Sequence, residues 1–278
     1  MTAKDIYNQI KKKKSFLCVG LDTDINKLPA CLSAESDPVY SFNKSIIDAT
    51  VEYAVAYKPN LAFYESRGEQ GWASLRKTVD YIRNHYPDIF LIADAKRGDI
   101  GNTSEMYAKT FFKTFDFDAV TLSPYMGKDT VEPFTKFSDK WSVLLALTSN
   151  PSANDFQYSE DKNGVCLFEN VINISKEWGN INNIMYVVGA TKAEMLAKIR
   201  KIIPNHFLLV PGIGAQGGSL QDVVTYGMND MCGLLVNSSR AILYSDKTPN
   251  FMNAAAAEAK KTQTEMEKSL RKLQITNL

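Results

Sequence analysis

The sequence predicts an α/β fold: one (β/α)8 or TIM barrel occupying residues 1–278 as a single domain. Three observations predict it. Short apolar runs alternate with helical patterns along the whole chain. Most of those runs are continuously apolar rather than alternating, as parallel strands covered on both faces require. Eight such β-then-α units fit within 278 residues, the length of one barrel of this kind. A doubly wound open sheet is the structural alternative.

The strands are expected at 16–21 (FLCVGL), 54–58 (AVAYK), 89–94 (IFLIAD), 118–122 (DAVTL), 142–148 (SVLLALT), 184–188 (IMYVV), 207–210 (FLLV) and 232–236 (CGLLV). Helices are expected near 38–53, 70–85, 102–115, 128–138, 167–180, 191–202 and 218–226, with a long closing helix near 249–273. Lys11 to Lys14 form the one dense basic run and are expected as a solvated helix end before the first strand. The stretch 149–166 (SNPSANDFQYSEDKNGVC) is the least regular, and long polar loops of that kind are often lids.

Composition narrows the function. An apolar fraction of 45%, a charged fraction of 23% and a net charge of +1 describe an ordinary globular protein and argue against a nucleic-acid or anionic-membrane surface. No signal-peptide-like stretch opens the chain and no segment reaches transmembrane length, so a cytoplasmic setting is expected. The four cysteines lack CxxC spacing, which fits a reducing compartment and disfavours zinc; Cys18, Cys166 and Cys232 are expected in the core. Of the two histidines, His85 ends a helix before Pro87 and His206 follows Pro204, and neither stands beside an acid motif. Serine, cysteine and metal chemistries thereby lose their usual imidazole, and proton work falls to lysines and carboxylates.

In a barrel the C-terminal strand ends build the site. Here they carry Asp22 after strand one, Lys58-Pro59-Asn60 after strand two, and Asp94-Ala95-Lys96-Arg97-Gly98-Asp99 after strand three. Thr148-Ser149-Asn150-Pro151 follows strand five, the glycine-rich 211–218 (PGIGAQGG) strand seven, and Asn237-Ser238-Ser239-Arg240 strand eight. The last two read as a phosphate site, because glycines let backbone N–H groups approach an anion and Arg240 adds a charged partner. Plain turns are the alternative.

Alternation along strand three puts Asp94 and Lys96 on one face. With Lys58 on the adjacent strand the array extends to Lys58, Asp94, Lys96 and Asp99, and alternating charge keeps each group in its charged form. A structural ion-pair network at the rim is the alternative. A protonated lysine against carboxylates is a proton donor, and a fixed carboxylate repels an anion bound beside it. Together they suit expulsion of a carboxylate with proton delivery to the carbon left behind. Asp22 is expected to contact a sugar hydroxyl rather than cap a turn, Ser149 to bond a planar ligand, and Thr103 to lie on the first turn of the next helix.

This ordered set resembles the orotidine 5′-phosphate decarboxylase family, in its longer bacterial-type branch, over roughly residues 16 to 245. The Asp-x-Lys-x-x-Asp motif alone is shared with related sugar-phosphate barrels; its combination with Lys58 and two phosphate loops is more specific. The resemblance implies conversion of orotidine 5′-monophosphate to uridine 5′-monophosphate and carbon dioxide in de novo pyrimidine synthesis, without metal or organic cofactor. It implies that Lys96 protonates C6, that Asp94 lies against the departing carboxylate, and that Lys58 holds Asp94 and the ribose. It places Asp22 on a ribose hydroxyl, Ser149 on the pyrimidine, and Gln216, Ser239 and Arg240 at the phosphate. Asp99 and Thr103 would complete the neighbouring site of a homodimer. Serines 238 and 239 stand where many members carry a glycine before the arginine. The nearest rival is a magnesium-dependent barrel acting on a 3-keto sugar phosphate, which would want an acid where Lys58 stands.

Overall fold

A computed structural model describes residues 1–190, 193–213 and 218–272. Eight strands, β1 (Leu17–Leu21), β2 (Ala54–Pro59), β3 (Phe90–Arg97), β4 (Ala119–Leu122), β5 (Trp141–Leu147), β6 (Ile184–Val188), β7 (Leu208–Pro211) and β8 (Leu234–Ser238), close in sequence order into a barrel. All pairings are parallel, and β1 pairs with both β2 and β8, which excludes the open sheet. Each strand lies within one residue of its expected position, apart from β3, which runs three residues further, and β8, which sits two residues later. Their near-continuous burial explains why apolar runs marked them so well.

Helix α1 (Ala3–Lys13) buries Ala3, Ile6 and Ile10 on one face and starts in a Thr2–Asp5 capping box. Its position closes the N-terminal end of the barrel: Trp141 Nε1 donates to the Met1 carbonyl at 2.8 Å, beside the start of β5. The outer helices follow: α2 (Pro38–Thr50), the single turn α3 (Ala62–Glu65), α4 (Gly68–His85), α5 (Gly101–Lys109), α6 (Lys128–Thr135), α7 (Leu167–Ser175), α8 (Ala193–Ile202), α9 (Leu220–Gly227), the single turn α10 (Arg240–Leu243) and α11 (Phe251–Lys272). Helix α11 packs along α2 and β1, and the Met266 sulfur accepts from the Phe16 amide and the Ser15 hydroxyl.

Two expectations need correction. Lys13 is not solvated as Lys11 and Lys12 are. Its Nζ donates to the Val51 and Ala54 carbonyls at 2.6 and 2.7 Å, and burial lowers its pKa to about 8. Cys166 is only half-buried, at the start of α7, whereas Cys18 and Cys232 are core residues. The 149–166 stretch also has more internal structure than its composition indicates. Asp161 accepts from the Asn163 and Val165 amides and from Asn170, and Gln157 ties the stretch back to Thr148 by two hydrogen bonds of 2.8 Å.

Far from the strand ends, His206 is buried against Tyr186, and neither ring nitrogen has a hydrogen-bond partner among the described residues. Burial, reinforced by the charges of Arg200 and Lys176, lowers its pKa to about 4. The unfolded chain therefore takes up a proton that the fold refuses. This contribution to stability is complete above pH 6.5 and is lost as pH falls towards 4, by about 2–3 kcal/mol. Urea melts should show that acid limb in the wild type and a flatter one in His206→Phe; an unchanged limb would remove His206 as its source.

Candidate active site

The charged strand-end residues converge at the C-terminal mouth of the barrel. Lys58, the fifth residue of β2, is almost fully buried, and its Nζ lies 2.7 Å from Asp94 Oδ2 on β3 and 3.9 Å from Asp22 Oδ1 after β1. Lys96 Nζ lies 2.6 Å from the other Asp94 oxygen, Oδ1. One carboxylate thus holds two ammonium groups, one enclosed and one half-exposed, with side-chain exposures of 5% for Lys58 and 51% for Lys96. Burial opposes ionisation of Asp94, but Lys58 and Lys96 outweigh it and hold its carboxyl well below the usual carboxylate range. Burial likewise opposes the Lys58 charge, and Asp94 with Asp22 overcomes it and raises the ammonium pKa. Cys18, sealed beneath this group, has its thiol pushed up to about 12 by burial and is inert as a nucleophile.

Asp94 and Lys96 do meet on one face, but simple alternation is not the whole reason. The β3–β4 register runs Ala93 to Val120 and then Arg97 to Leu122, so β3 advances four residues while β4 advances two. The segment bulges, as strands often do beside active sites. Lys96 sits at φ 47°, in the left-handed region that costs a non-glycine residue roughly 1–2 kcal/mol. Gly98 then lets the chain pass close to β4: a side-chain carbon there would lie 3.0 Å from the Ser123 carbonyl oxygen.

A cleft of about 150 Å³ beside this array is lined by Asp22, Lys58, Asp94, the Pro211–Ile213 turn, Asn237, Ser239 and Arg240. Asp24, not Asp22, caps the turn that follows β1, accepting from the Asn26 amide. Asp22 is left facing the cleft. Among the described residues, its Oδ1 and Oδ1 of the buried Asn237 have no hydrogen-bond partner, although each is shielded from water. Buried acceptors of this kind fit a ligand that donates hydroxyl hydrogens. Asn237 Nδ2 donates to Ser239 Oγ at 3.1 Å, and both side chains fold over Gly20, where any side-chain carbon would lie 1.9 Å from Ser239 Oγ. Arg240 is exposed at the cleft edge, and among the described residues no carboxylate lies within ion-pair distance of it.

Three further expected residues make other contacts or are exposed within one chain. Asp99 accepts from the Ile100 amide at 2.8 Å, and among the described residues no ion pair joins it to Lys96. Thr103 is exposed on the first turn of α5. Ser149 lies at the end of β5 against Gly189, whose added carbon would approach its backbone to 2.9 Å. Gln216 lies outside the described residues. Two residues that sequence reasoning gave no role belong to the site: Asn237, inside the flagged 237–240 run, and Thr121, a lone hydroxyl at the end of an otherwise apolar strand. Among the described residues, no cluster of three or more His, Cys, Asp or Glu groups stands ready to hold a metal ion.

A closed (β/α)8 barrel with a paired lysine–carboxylate array and an arginine-edged cleft at its strand ends is a barrel enzyme. The sequence matches the profile of the orotidine 5′-phosphate decarboxylase / HUMPS family over residues 15–256, and the chain belongs to that family. It is 62% identical over 268 residues to an orotidine 5′-phosphate decarboxylase of Phocaeicola vulgatus, covering 96% of this chain and 98% of the relative. It is 60% identical to the Bacteroides fragilis enzyme of the same name over 271 residues, 98% of this chain and 99% of that one. Leishmania donovani OMP decarboxylase superposes with a TM-score of 0.79 at 36% identity, covering 96% of this chain and 99% of that chain.

Proposed function

We propose that the chain converts orotidine 5′-monophosphate to uridine 5′-monophosphate and carbon dioxide, with Lys96 as the proton donor. The C6–carboxylate bond breaks and leaves its electron pair on C6. The Lys96 ammonium supplies the proton that forms the C6–H bond, and the neutral amine recovers a proton from water. The observation that carries this reading is the Lys58–Asp94–Lys96 array, in which a half-exposed ammonium lies 2.6 Å from a carboxylate locked by a buried second lysine. Asp94, held ionised, repels the substrate carboxylate next to it, and Lys96 stabilises the charge that develops as that carboxylate departs.

The remaining roles follow from membership of the family and the resemblance of its motifs. Lys58 orients Asp94 and reaches the ribose, and Asp22 accepts from a ribose hydroxyl. Ser149 contacts the pyrimidine, and Gln216, Ser239 and Arg240 hold the phosphate. Asp99 and Thr103 serve the neighbouring site of a homodimer. The exposed apolar residues Ile100, Met106, Tyr125 and Met126, on the loops and helix flanking Asp99, support a second copy of the chain covering this face. The reaction as written needs neither metal nor organic cofactor and takes place in the cytoplasm, with no nucleic-acid or membrane partner. Among the described residues, no helix is long and apolar enough to cross a membrane.

The test is ultraviolet loss of orotidine 5′-monophosphate in excess chelator. Conversion to uridine 5′-monophosphate supports the reading; no conversion by folded protein, with activity on a keto-sugar phosphate once magnesium is restored, overturns it. Arg240→Ala should raise KM by about ten- to hundredfold with a smaller change in kcat, because a charge-assisted contact to a non-reacting group is lost. Steady-state kinetics check this, and an unchanged KM would remove Arg240 from the phosphate site.

A further inference from the structure

The β3 bulge leaves the amide of Lys96 without a place in the β3–β4 ladder. That amide donates instead to the side-chain oxygen of Thr121 at 2.9 Å. The Thr121 hydroxyl in turn donates to Asp94 Oδ1 at 3.0 Å, the same oxygen that receives Lys96 Nζ. Thr121 is 1% exposed and near the end of β4, so its rotamer is fixed by its surroundings. Among the described residues, it is the one side chain bonded both to the main chain of Lys96 and to the Asp94 carboxylate. Hydroxyls can accept and donate at once, and this one does so between the two groups whose separation defines the array.

We propose that Thr121 is a positioning residue for the reaction. Its hydroxyl holds Lys96 in the left-handed backbone conformation and fixes the rotation of the Asp94 carboxylate. Oδ2 is thereby aimed at Lys58 and Oδ1 at Lys96, and the Lys96 ammonium is carried to its working position by an anchored main chain. The inference rests on the reading of Asp94 and Lys96 as the reacting groups. Thr121 is not among the residues that line the cleft, so it acts through its two partners rather than on the ligand.

Thr121→Val keeps the shape and removes both hydrogen bonds; Thr121→Ser keeps the hydroxyl. The valine variant should lose about ten- to a hundredfold in kcat with KM within about threefold of wild type, as expected for a reacting group displaced by a fraction of an ångström to an ångström. The serine variant should recover most of that loss. A role in folding alone would lower the melting temperature without this split between kcat and KM or this recovery. If valine prevents folding, the Thr121→Ala and Thr121→Ser pair makes the same comparison without added bulk. A kcat near wild type in the variant without the hydroxyl, or a serine variant as slow as that one, overturns the proposal. Lys96→Ala, assayed in parallel, separates the two readings. An active alanine variant at 96 sinks the assignment of Lys96 itself. A dead one alongside a normal Thr121→Val sinks only the role of Thr121.

Discussion

Replacing Lys96 with alanine should lower kcat by about 10⁴-fold or more while leaving the protein folded. The two halves of that expectation come from different contacts. Its catalytic half rests on the ammonium 2.6 Å from Asp94, the one cation of the array with substantial exposure. Its structural half rests on what remains after truncation. Asp94 still receives Lys58 Nζ at 2.7 Å and the Thr121 hydroxyl at 3.0 Å, so no buried charge is orphaned. A half-exposed ion pair contributes little to stability, on the order of 1 kcal/mol or less. Initial rates with orotidine 5′-monophosphate, paired with thermal melts, measure both halves. Near-normal turnover would remove Lys96 as proton donor, and a collapsed melt would make it a structural residue.

Asp94→Asn should be damaging in both respects. The amide matches the carboxylate in shape but, among the described residues, leaves the buried Lys58 ammonium with only Asp22, 3.9 Å away, as an anionic ion-pair neighbour. Breaking a buried pair from one side costs about 3–5 kcal/mol, and the loss of a fixed charge at the reacting centre should lower kcat by about a thousandfold. The pH dependence distinguishes this variant. In the wild type, the depressed Asp94 pKa contributes stability above the ordinary carboxylate value of 3.8 that is lost as pH falls below it. The raised Lys58 pKa contributes stability below 10.5 that is lost as pH rises beyond it. Across neutral pH the Lys58–Asp94 pair is therefore fully charged. Without Asp94, burial favours neutral Lys58, so the variant's deficit should narrow at alkaline pH. Denaturant melts at pH 7 and pH 10 test this, and a constant deficit would show that Lys58 does not depend on Asp94 for its charge.

The barrel was legible in the sequence because most strands are buried on both faces and read as near-continuous apolar runs bounded by polar residues. The convergence of Asp22, Lys58, Asp94 and Lys96 was legible because charged residues at strand ends stand out against apolar runs. What escaped detection depends on contacts between distant segments. The four-against-two register of β3 and β4 is set by the partner strand, so neither the left-handed Lys96 nor the bridging Thr121 could be read from local pattern. Lys13 looked like part of a solvated basic run because the carbonyls it caps, Val51 and Ala54, lie some forty residues away. Helices α3 and α10 are single turns, too short for any periodicity to register. Asp99, three residues from Lys96, turns away past Gly98 and spends its carboxylate on the next amide of its own chain.

The most direct test of Lys96 as proton donor is chemical restoration of its amine. Lys96→Cys, assayed on orotidine 5′-monophosphate, should show no turnover. Treatment with 2-bromoethylamine rebuilds a side chain with a terminal ammonium close to the length of lysine, and decarboxylation should return. Wild type treated in parallel controls for Cys31 and Cys166, the two native cysteines that are not buried. An untreated cysteine variant with near-normal rates, or one that stays inactive after complete modification and retained folding, would contradict the assignment.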